Sequence, residues 1–212
     1  MRTRSFLMTE FFLLFVLLPI SFAVEYPPII KGIITLIGLA YIIFVLFKVE
    51  GISFRIKKKM DWKQFWKRTL ISFAIIAIVT ACFVYFSEPE SLFYVPRTNM
   101  RLFVVILFIY TFLSVWPQEI IYRTFFFKRY ESLFSSKSAL IFINAIVFSL
   151  AHIFFRNTLV LVLTFIGGIL FGITYLKFRS TTLVSIEHAL YGNWLFTVGM
   201  GQMLAFPGME AP

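Results

Sequence analysis

The sequence is poor in charged residues and has almost no cysteine. Charged residues make up 14% of its 212 residues, whereas soluble domains carry about 25%. Hydrophobic residues make up 60%, and the mean hydropathy is +0.89. The single cysteine, Cys82, excludes an intrachain disulfide and a zinc site built on thiolates. We expect it to be a packed core thiol. This composition argues against a soluble domain and against a disulfide scaffold.

Apolar runs long enough to cross a bilayer recur along the whole chain. A helix of about 20 apolar residues spans the hydrocarbon core, and β-barrel strands would be shorter and would alternate apolar with polar residues. The runs cover residues 6–24, 30–47, 69–86, 102–127, 139–155, 158–177 and 182–205. The sequence therefore predicts an all-α polytopic membrane protein with about seven transmembrane helices. We expect one transmembrane domain over 1–212, with weakly defined spans in 1–100 and the active site within the last four spans.

The positive charge follows the pattern of membrane topology. The net charge is +10, and the densest basic block is residues 48–68. Basic loops mark the cytoplasmic side, so this block and the basic N-terminus predict a cytoplasmic N-terminus. The lysines and arginines left on the other side are Lys31, Arg97, Arg101 and Arg156. We expect an integral protein of the bacterial inner (plasma) membrane, with loop 48–68 against anionic headgroups. The bilayer is its predicted partner, and nucleic acid is not.

The first 23 residues allow a second interpretation. Basic residues, an apolar stretch and the small residues Ser21 and Ala23 are also typical of a signal peptide. We expect a retained first span, because the apolar stretch is long and Pro19 merely bends it.

Proton-active side chains are concentrated in the last four predicted spans. Most acidic residues, Glu10 among them, are expected in loops or at span ends, whereas Glu119 and Glu187 lie inside spans, as do both histidines, His152 and His188. Ionisable groups inside a membrane are functional candidates by default. Counted from the predicted cytoplasmic ends at 1.5 Å per residue, Glu119 and His188 lie roughly 13 Å deep and His152 about 22 Å deep. We expect all three to meet in one cavity if the segment before His152 begins along the interface.

Helical phase groups some of these residues. Glu119 and Arg123 are four residues apart and can form an ion pair on one helix face. Asn144, Phe148 and His152 form one stripe, which places the phenyl ring near the imidazole. On the last span His188 shares a face with Tyr191, whereas Glu187 and Asn193 point elsewhere. Each of these residues could instead be a polar strut between helices.

The order of these motifs resembles the CPBP family of intramembrane proteases, which includes CAAX-processing endopeptidases and bacteriocin-processing and immunity proteins. The resemblance covers about residues 100–205. The family pattern E-E-x-x-x-R falls on Gln118, Glu119 and Arg123, and F-x-x-x-H falls on Phe148 and His152. The pattern H-x-x-x-N begins at His188. The resemblance implies that a glutamate activates water, a histidine assists, and the last His and Asn stabilise the oxyanion.

Two positions depart from the family pattern. Gln118 stands where the first glutamate is expected, and an amide cannot act as a base at neutral pH. Either Glu119 is the base or the chain has lost peptidase activity. Gly192 stands where the last Asn is expected. Asn193, one residue later, could replace it only in a locally unwound helix.

The leading hypothesis is an endopeptidase that cleaves a membrane-associated, hydrophobic or prenylated peptide or protein. Glu119, with His152, would deprotonate a water, Arg123 would hold Glu119, and His188 with Tyr191 or Asn193 would bind the oxyanion. No cofactor is expected. A zinc ion held by Glu119, His152 and His188 is the metal alternative. The non-enzymatic alternatives are a scaffold or immunity protein, favoured by Gln118, and a proton-coupled carrier, for which no inverted repeat is visible.

Overall fold

The computed structural model describes residues 3–51 and 60–204. Within these ranges the regular structure is helical and contains no strand. Six helical segments are long and apolar enough to cross a membrane. They are α1 (Arg4–Phe22), α2 (Pro28–Val49), α3 (Trp62–Ser87), α4 (Met100–Leu133), α5 (Lys137–Leu150, which continues through a turn to Phe155) and α6 (Thr158–Phe178). The prediction of an all-α polytopic membrane protein is confirmed.

The seventh predicted span is a helix that is shorter than predicted and less apolar than the other six. Helix α7 (Thr181–Val198) ends at Gly199, well before the predicted end at residue 205. It does not reach the hydropathy of the six spans in the described chain, because Glu187, His188 and Asn193 lie within it. Short helices at Pro89–Ser91, Tyr94–Thr98 and Gly201–Leu204 complete the described structure.

The outward surfaces of the spans are apolar. Phe86 is 82% exposed, Leu113 70% and Leu36 66%, as expected for side chains that contact lipid rather than water. Cys82 is also exposed, so the prediction of a packed core thiol was wrong. Its position on α3 faces outward rather than into the helix packing.

The basic loop predicted at 48–68 is shorter in the structure. Helix α2 continues to Val49 and helix α3 begins at Trp62, where the side chain of Asp61 caps it by accepting a hydrogen bond from the Gln64 N–H at 2.9 Å. Residues 52–59, which hold much of the predicted interfacial segment, lie outside the described residues.

The chain forms two compact units. The first contains the described residues of 1–57 and 119–179, and the second those of 58–118 and 180–212. Helix α4 contributes to both, with Gln118 in the second unit and Glu119 in the first. The prediction of a single domain over 1–212 stays a prediction.

A buried ion cluster joins three segments of the first unit. Arg129 donates to Glu10 from Nε at 2.8 Å and to Glu50 from Nη1 at 2.8 Å. Tyr130 donates to Glu10 at 3.1 Å, and the Tyr41 hydroxyl also donates to it. Glu10 was expected in a loop or at a span end. It lies inside α1 and is 6% exposed, because the arginine near the end of α4 provides its partner.

Helices α5 and α6 form an antiparallel pair that depends on a close approach. A Cβ at Gly168 would lie 2.8 Å from the Cα of Ala145, so a larger residue would force the helices apart. In the second unit, α7 and the first part of α4 share a hydrophobic core that includes Val95, Ile106, Tyr110, Val115 and Phe196.

Candidate active site

Helix α4 changes its winding on both sides of the predicted motif. Tyr110–Val115 and Ile120–Phe125 are wide π-helical turns, and Trp116–Glu119 is a short α-helical link between them. Pro117 lacks the N–H that would bond to the carbonyl four residues earlier, which favours a break in the regular ladder here. Such wide turns inside helices frequently occur at functional sites.

Glu119 and Arg123 form the predicted ion pair in full enclosure. The guanidinium Nε lies 3.3 Å from the carboxylate Oε2, and both side chains are 0% exposed. A buried charge is stable only when it is paired. Each residue therefore maintains the charge of the other inside apolar helices.

Two phenylalanines enclose the arginine. The guanidinium carbon lies 4.5 Å from the centre of the Phe148 ring and 5.4 Å from that of Phe171. Aromatic faces attract a cation, most strongly where water is excluded. Phe171 lies on α6 one turn after Gly168, so the close α5–α6 approach positions its ring.

His152 lies just beyond the regular part of α5 rather than within a helix. Its Nδ1 forms a 2.8 Å hydrogen bond with the Phe148 carbonyl. Because that oxygen can only accept, Nδ1 carries the proton of the neutral imidazole, and Nε2 is the nitrogen that can accept a proton. The two rings lie 4.9 Å apart at 67°. Phe148 thus contacts both the arginine and the histidine, which groups Glu119, Arg123 and His152 in the first unit.

Glu119 and His152 lie at similar distances from the ends of their helices, for a reason that differs from the prediction. Helix α4 runs to Leu133 instead of ending near Lys128, which places Glu119 about 21 Å from that end at 1.5 Å per residue. Helix α5 begins at Lys137 with a Ser136 cap, so His152 lies about 22 Å along it. The longer α4 removes the mismatch counted along the helices, and the path of the segment before α5 along the interface stays a prediction.

Asn144 fixes α4 against α5. Its Nδ2 donates to the carbonyl of Tyr122 at 2.7 Å, and the residue is 0% exposed. That carbonyl belongs to the wide turn Ile120–Phe125. The contact supports the interpretation of Asn144 as a polar strut that holds the turn carrying Arg123 in place.

The predicted amides of the second unit are bonded to neighbouring hydroxyls. Gln118 Nε2 donates to Ser114 Oγ at 2.8 Å, and Asn193 Nδ2 donates to Thr111 Oγ1 at 3.0 Å. Helix α7 is regular throughout Thr181–Val198. The local unwinding that would let Asn193 replace a residue at 192 is therefore not observed.

His188 is buried in the second unit, at 6% exposure, against Tyr110 of α4. The two ring centres lie 6.0 Å apart at 83°. One turn further along α7, Gly192 lies against the same tyrosine. Sequence reasoning singled out His188 but missed Tyr110. The signal that could have found Tyr110 was the missing side chain at Gly192, since a neighbour must fill such a space.

Glu187 and Tyr191 form a separate contact on α7. The Tyr191 hydroxyl lies 3.0 Å from Glu187 Oε1 and 3.2 Å from the backbone oxygen of Thr69 on α3. The hydroxyl that was proposed to help His188 is thus bonded to the neighbouring carboxylate. This contact links α7 to the start of α3.

The metal alternative lacks a ligand cluster in the part of the chain that the structure describes. No three side chains of His, Cys, Asp or Glu there come together in a way that could hold an ion. The predicted trio of zinc ligands does not fit such a site, and we derive no step through a metal.

Comparison with known protein families gives a match for the segment that contains the candidate site. Residues 100–195 match the sequence model of a family described as type II CAAX prenyl endopeptidase Rce1-like. This match confirms the resemblance stated from the motifs. The matched segment contains all the predicted site residues, from Gln118 to Asn193. Neither a curated protein nor a solved structure matches the chain.

Proposed function

We propose that this integral membrane protein is an intramembrane endopeptidase in which Glu119 activates water, because residues 100–195 match the sequence model of the CAAX prenyl endopeptidase family. The observation that carries the proposal is the fully enclosed pair of Glu119 and Arg123, at 0% exposure and 3.3 Å. A family enzyme needs a base at this motif, and Gln118 cannot provide one. Glu119, paired with Arg123 at 3.3 Å, is the group that can.

The reaction begins with removal of a proton from water. In our proposal Glu119 takes a proton while the water oxygen attacks the scissile carbonyl carbon. His152 Nε2 accepts a hydrogen bond from the second O–H of that water, because its Nδ1 is bonded to the Phe148 carbonyl. Glu119 then transfers its proton to the leaving amine. Arg123 positions Glu119 throughout and takes no part in proton transfer.

The proposed site must admit water and substrate. Glu119 is enclosed in this structure, so the side chains around it have to move during turnover. The wide turns on both sides of Trp116–Glu119 support such movement, because their hydrogen-bond geometry departs from the regular helix.

We assign oxyanion binding to His188. Its two predicted helpers are bonded elsewhere: the amide nitrogen of Asn193 donates to Thr111, and the hydroxyl of Tyr191 contacts Glu187. An imidazole N–H is a suitable donor to a developing negative charge. The support for this role is the burial of His188 beside a second donor-bearing side chain, Tyr110.

We propose a substrate with a hydrocarbon anchor, presented from the cytoplasmic side of a bacterial inner membrane. The matched family is named for prenylated CAAX substrates. A cavity of about 110 Å³ in the first unit is lined mostly by apolar residues of α1 and α2, and by Ile121, Tyr122 and Ala151. These last two residues immediately precede Arg123 and His152. An apolar chain in this cavity would contact residues that adjoin Arg123 and His152 in sequence.

The test is hydrolysis of a farnesylated, membrane-tethered peptide by the full-length protein in lipid vesicles, followed by mass spectrometry. We expect Glu119→Gln and His152→Ala each to lower kcat by about 10²–10⁴-fold. The matched control is Glu131→Gln, which removes a carboxylate from an exposed pair with Arg179, and it should keep the wild-type rate. The double variant Glu119→Gln/Arg123→Met shows whether inactivity persists when no buried charge is left unpaired.

Equal rates for wild type and Glu119→Gln would reject the mechanism. A wild type that binds the peptide without cleaving it would instead favour the non-catalytic alternative, for which Gln118 is the one sequence feature.

A further inference from the structure

Tyr110 occupies the space that a side chain at position 192 would fill. A Cβ built on Gly192 would lie 2.0 Å from the Tyr110 hydroxyl oxygen and 2.4 Å from two of its ring carbons. No real side chain tolerates such distances, so residue 192 must be glycine as long as the ring stays in place. The phenol therefore stands where the side chain of the expected asparagine would begin.

The ring of Tyr110 is held firmly in this position. It is 8% exposed, and it packs edge-to-face on Phe196 with ring centres 4.9 Å apart at 73°. It also meets the ring of His188, with centres 6.0 Å apart at 83°. Tyr110 begins the wide turn Tyr110–Val115 of α4. Because the Tyr110 ring is buried and packs against two other rings, its hydroxyl is a preorganised hydrogen-bond donor.

We propose that the Tyr110 hydroxyl is a catalytic residue that donates a hydrogen bond to the oxyanion beside His188. This inference rests on the proposed hydrolysis. When water attacks, the carbonyl π electrons move to the oxygen, and two donors then stabilise that charge: the His188 imidazole N–H and the Tyr110 O–H. The phenol keeps its proton, since its ordinary pKa is about 10, so no atom is transferred. The chain thus supplies from α4 a donor that its α7 motif lacks.

The chemistry distinguishes this role from packing. Phenylalanine at 110 would keep the ring contacts with Gly192, His188 and Phe196 and would remove a single hydroxyl. A packing role predicts no change in turnover for Tyr110→Phe. A donor to the transition state predicts a fall in kcat with little change in KM, because the substrate carbonyl carries less charge than the oxyanion.

The first experiment measures kcat and KM of Tyr110→Phe in the vesicle assay with the farnesylated peptide. We expect kcat to fall by about 10²–10³-fold with KM nearly constant. Tyr175→Phe is the matched control, because it removes another buried hydroxyl, from a tyrosine of the first unit that packs against Phe127. It should keep the wild-type rate.

The second experiment exchanges the donor between helices. Gly192→Asn alone should be inactive, since its side chain collides with the Tyr110 ring. Tyr110→Phe/Gly192→Asn should stay inactive, because the ring carbons at 2.4 Å remain. Tyr110→Ala/Gly192→Asn frees the space and should exceed the kcat of Tyr110→Ala by at least about 10-fold, in line with one oxyanion donor.

The outcomes separate the two proposals. If Glu119→Gln is inactive and Tyr110→Phe retains wild-type kcat, the inference on Tyr110 is wrong and the hydrolytic mechanism stands. If the wild type hydrolyses nothing, or Glu119→Gln matches it, both are overturned. A fall in kcat for Tyr110→Phe, with restored turnover in the Ala/Asn exchange, supports the assignment. Thermal unfolding of each variant confirms that the protein being assayed is folded.

Discussion

Removing either partner of the Glu119–Arg123 pair should destabilise the protein strongly, whereas removing both should not. The pair lies at 3.3 Å with both side chains 0% exposed. With an effective dielectric of about 20, the attraction between unit charges at this separation is about 5 kcal/mol. Breaking a buried pair from one side costs about 3–5 kcal/mol, because the remaining charge loses its counter-ion. Arg123→Met also loses the contact with the Phe148 ring at 4.5 Å.

The perturbations are Glu119→Gln, Arg123→Met and the double variant. We expect each single variant to lower the free energy of unfolding by about 3–5 kcal/mol. The double variant should recover most of this loss, since Gln and Met leave no unpaired charge. The assay is denaturation by sodium dodecyl sulfate in mixed micelles, monitored by tryptophan fluorescence.

An exposed pair provides the control for this experiment. Arg179 and Glu131 lie 2.8 Å apart at the end of α4, with side chains 36% and 41% exposed. Arg179→Met should change the free energy of unfolding by less than about 1 kcal/mol. If Glu119→Gln changed stability as little as Arg179→Met, or if the losses in the double variant were additive, the carboxylate would not be an enclosed partner of the arginine and our reasoning would fail.

Three further predictions follow from other parts of the fold. Gly168→Ala should lower stability by about 1–3 kcal/mol and should also lower kcat. Its Cβ would lie 2.8 Å from the Cα of Ala145 and would push α6 and the Phe171 ring away. Gly32→Ala, whose Cβ meets nothing within 4 Å, should be neutral or stabilising in the same unfolding assay. Arg129→Met should destabilise by about 3–5 kcal/mol, since Glu10 would stay buried without its cation, and a loss below about 1 kcal/mol would contradict the cluster. Gln118→Leu should keep kcat within about 10-fold of the wild type, because an amide cannot act as the base; a loss as large as that of Glu119→Gln would count against Glu119 as the base.

Hydropathy predicted the positions of the spans well, whereas basic residues predicted the wrong end for the fourth helix. Lys128 predicts the end of the fourth span, yet the helix continues to Leu133. Arg129 can lie inside because Glu10 and Glu50 neutralise it. These partners are distant in sequence, so no local pattern could indicate them. Helix α7 shows the opposite case, in which polar residues within an apolar run lower its hydropathy below that of a span.

The candidate site was predictable wherever contacts are local. The spacing of four residues predicted the Glu119–Arg123 pair, and F-x-x-x-H predicted that Phe148 lies near the imidazole of His152. The wide turns of α4 carry no comparable signal. The contacts of Phe171 with Arg123 and of Tyr110 with Gly192 arise from tertiary packing, which helical periodicity alone does not specify.

The cluster around Glu10 has a consequence for how the protein is made. Helix α1 leaves the ribosome long before Arg129, which follows Glu10 by 119 residues. Until then its carboxylate has no guanidinium, and a bare negative charge is costly in hydrocarbon. We therefore expect the nascent α1 to keep Glu10 among the lipid headgroups until α4 has been made. Its docking onto the end of α4 is a late step of biogenesis. Arg129→Met chains should insert into the membrane without completing this docking.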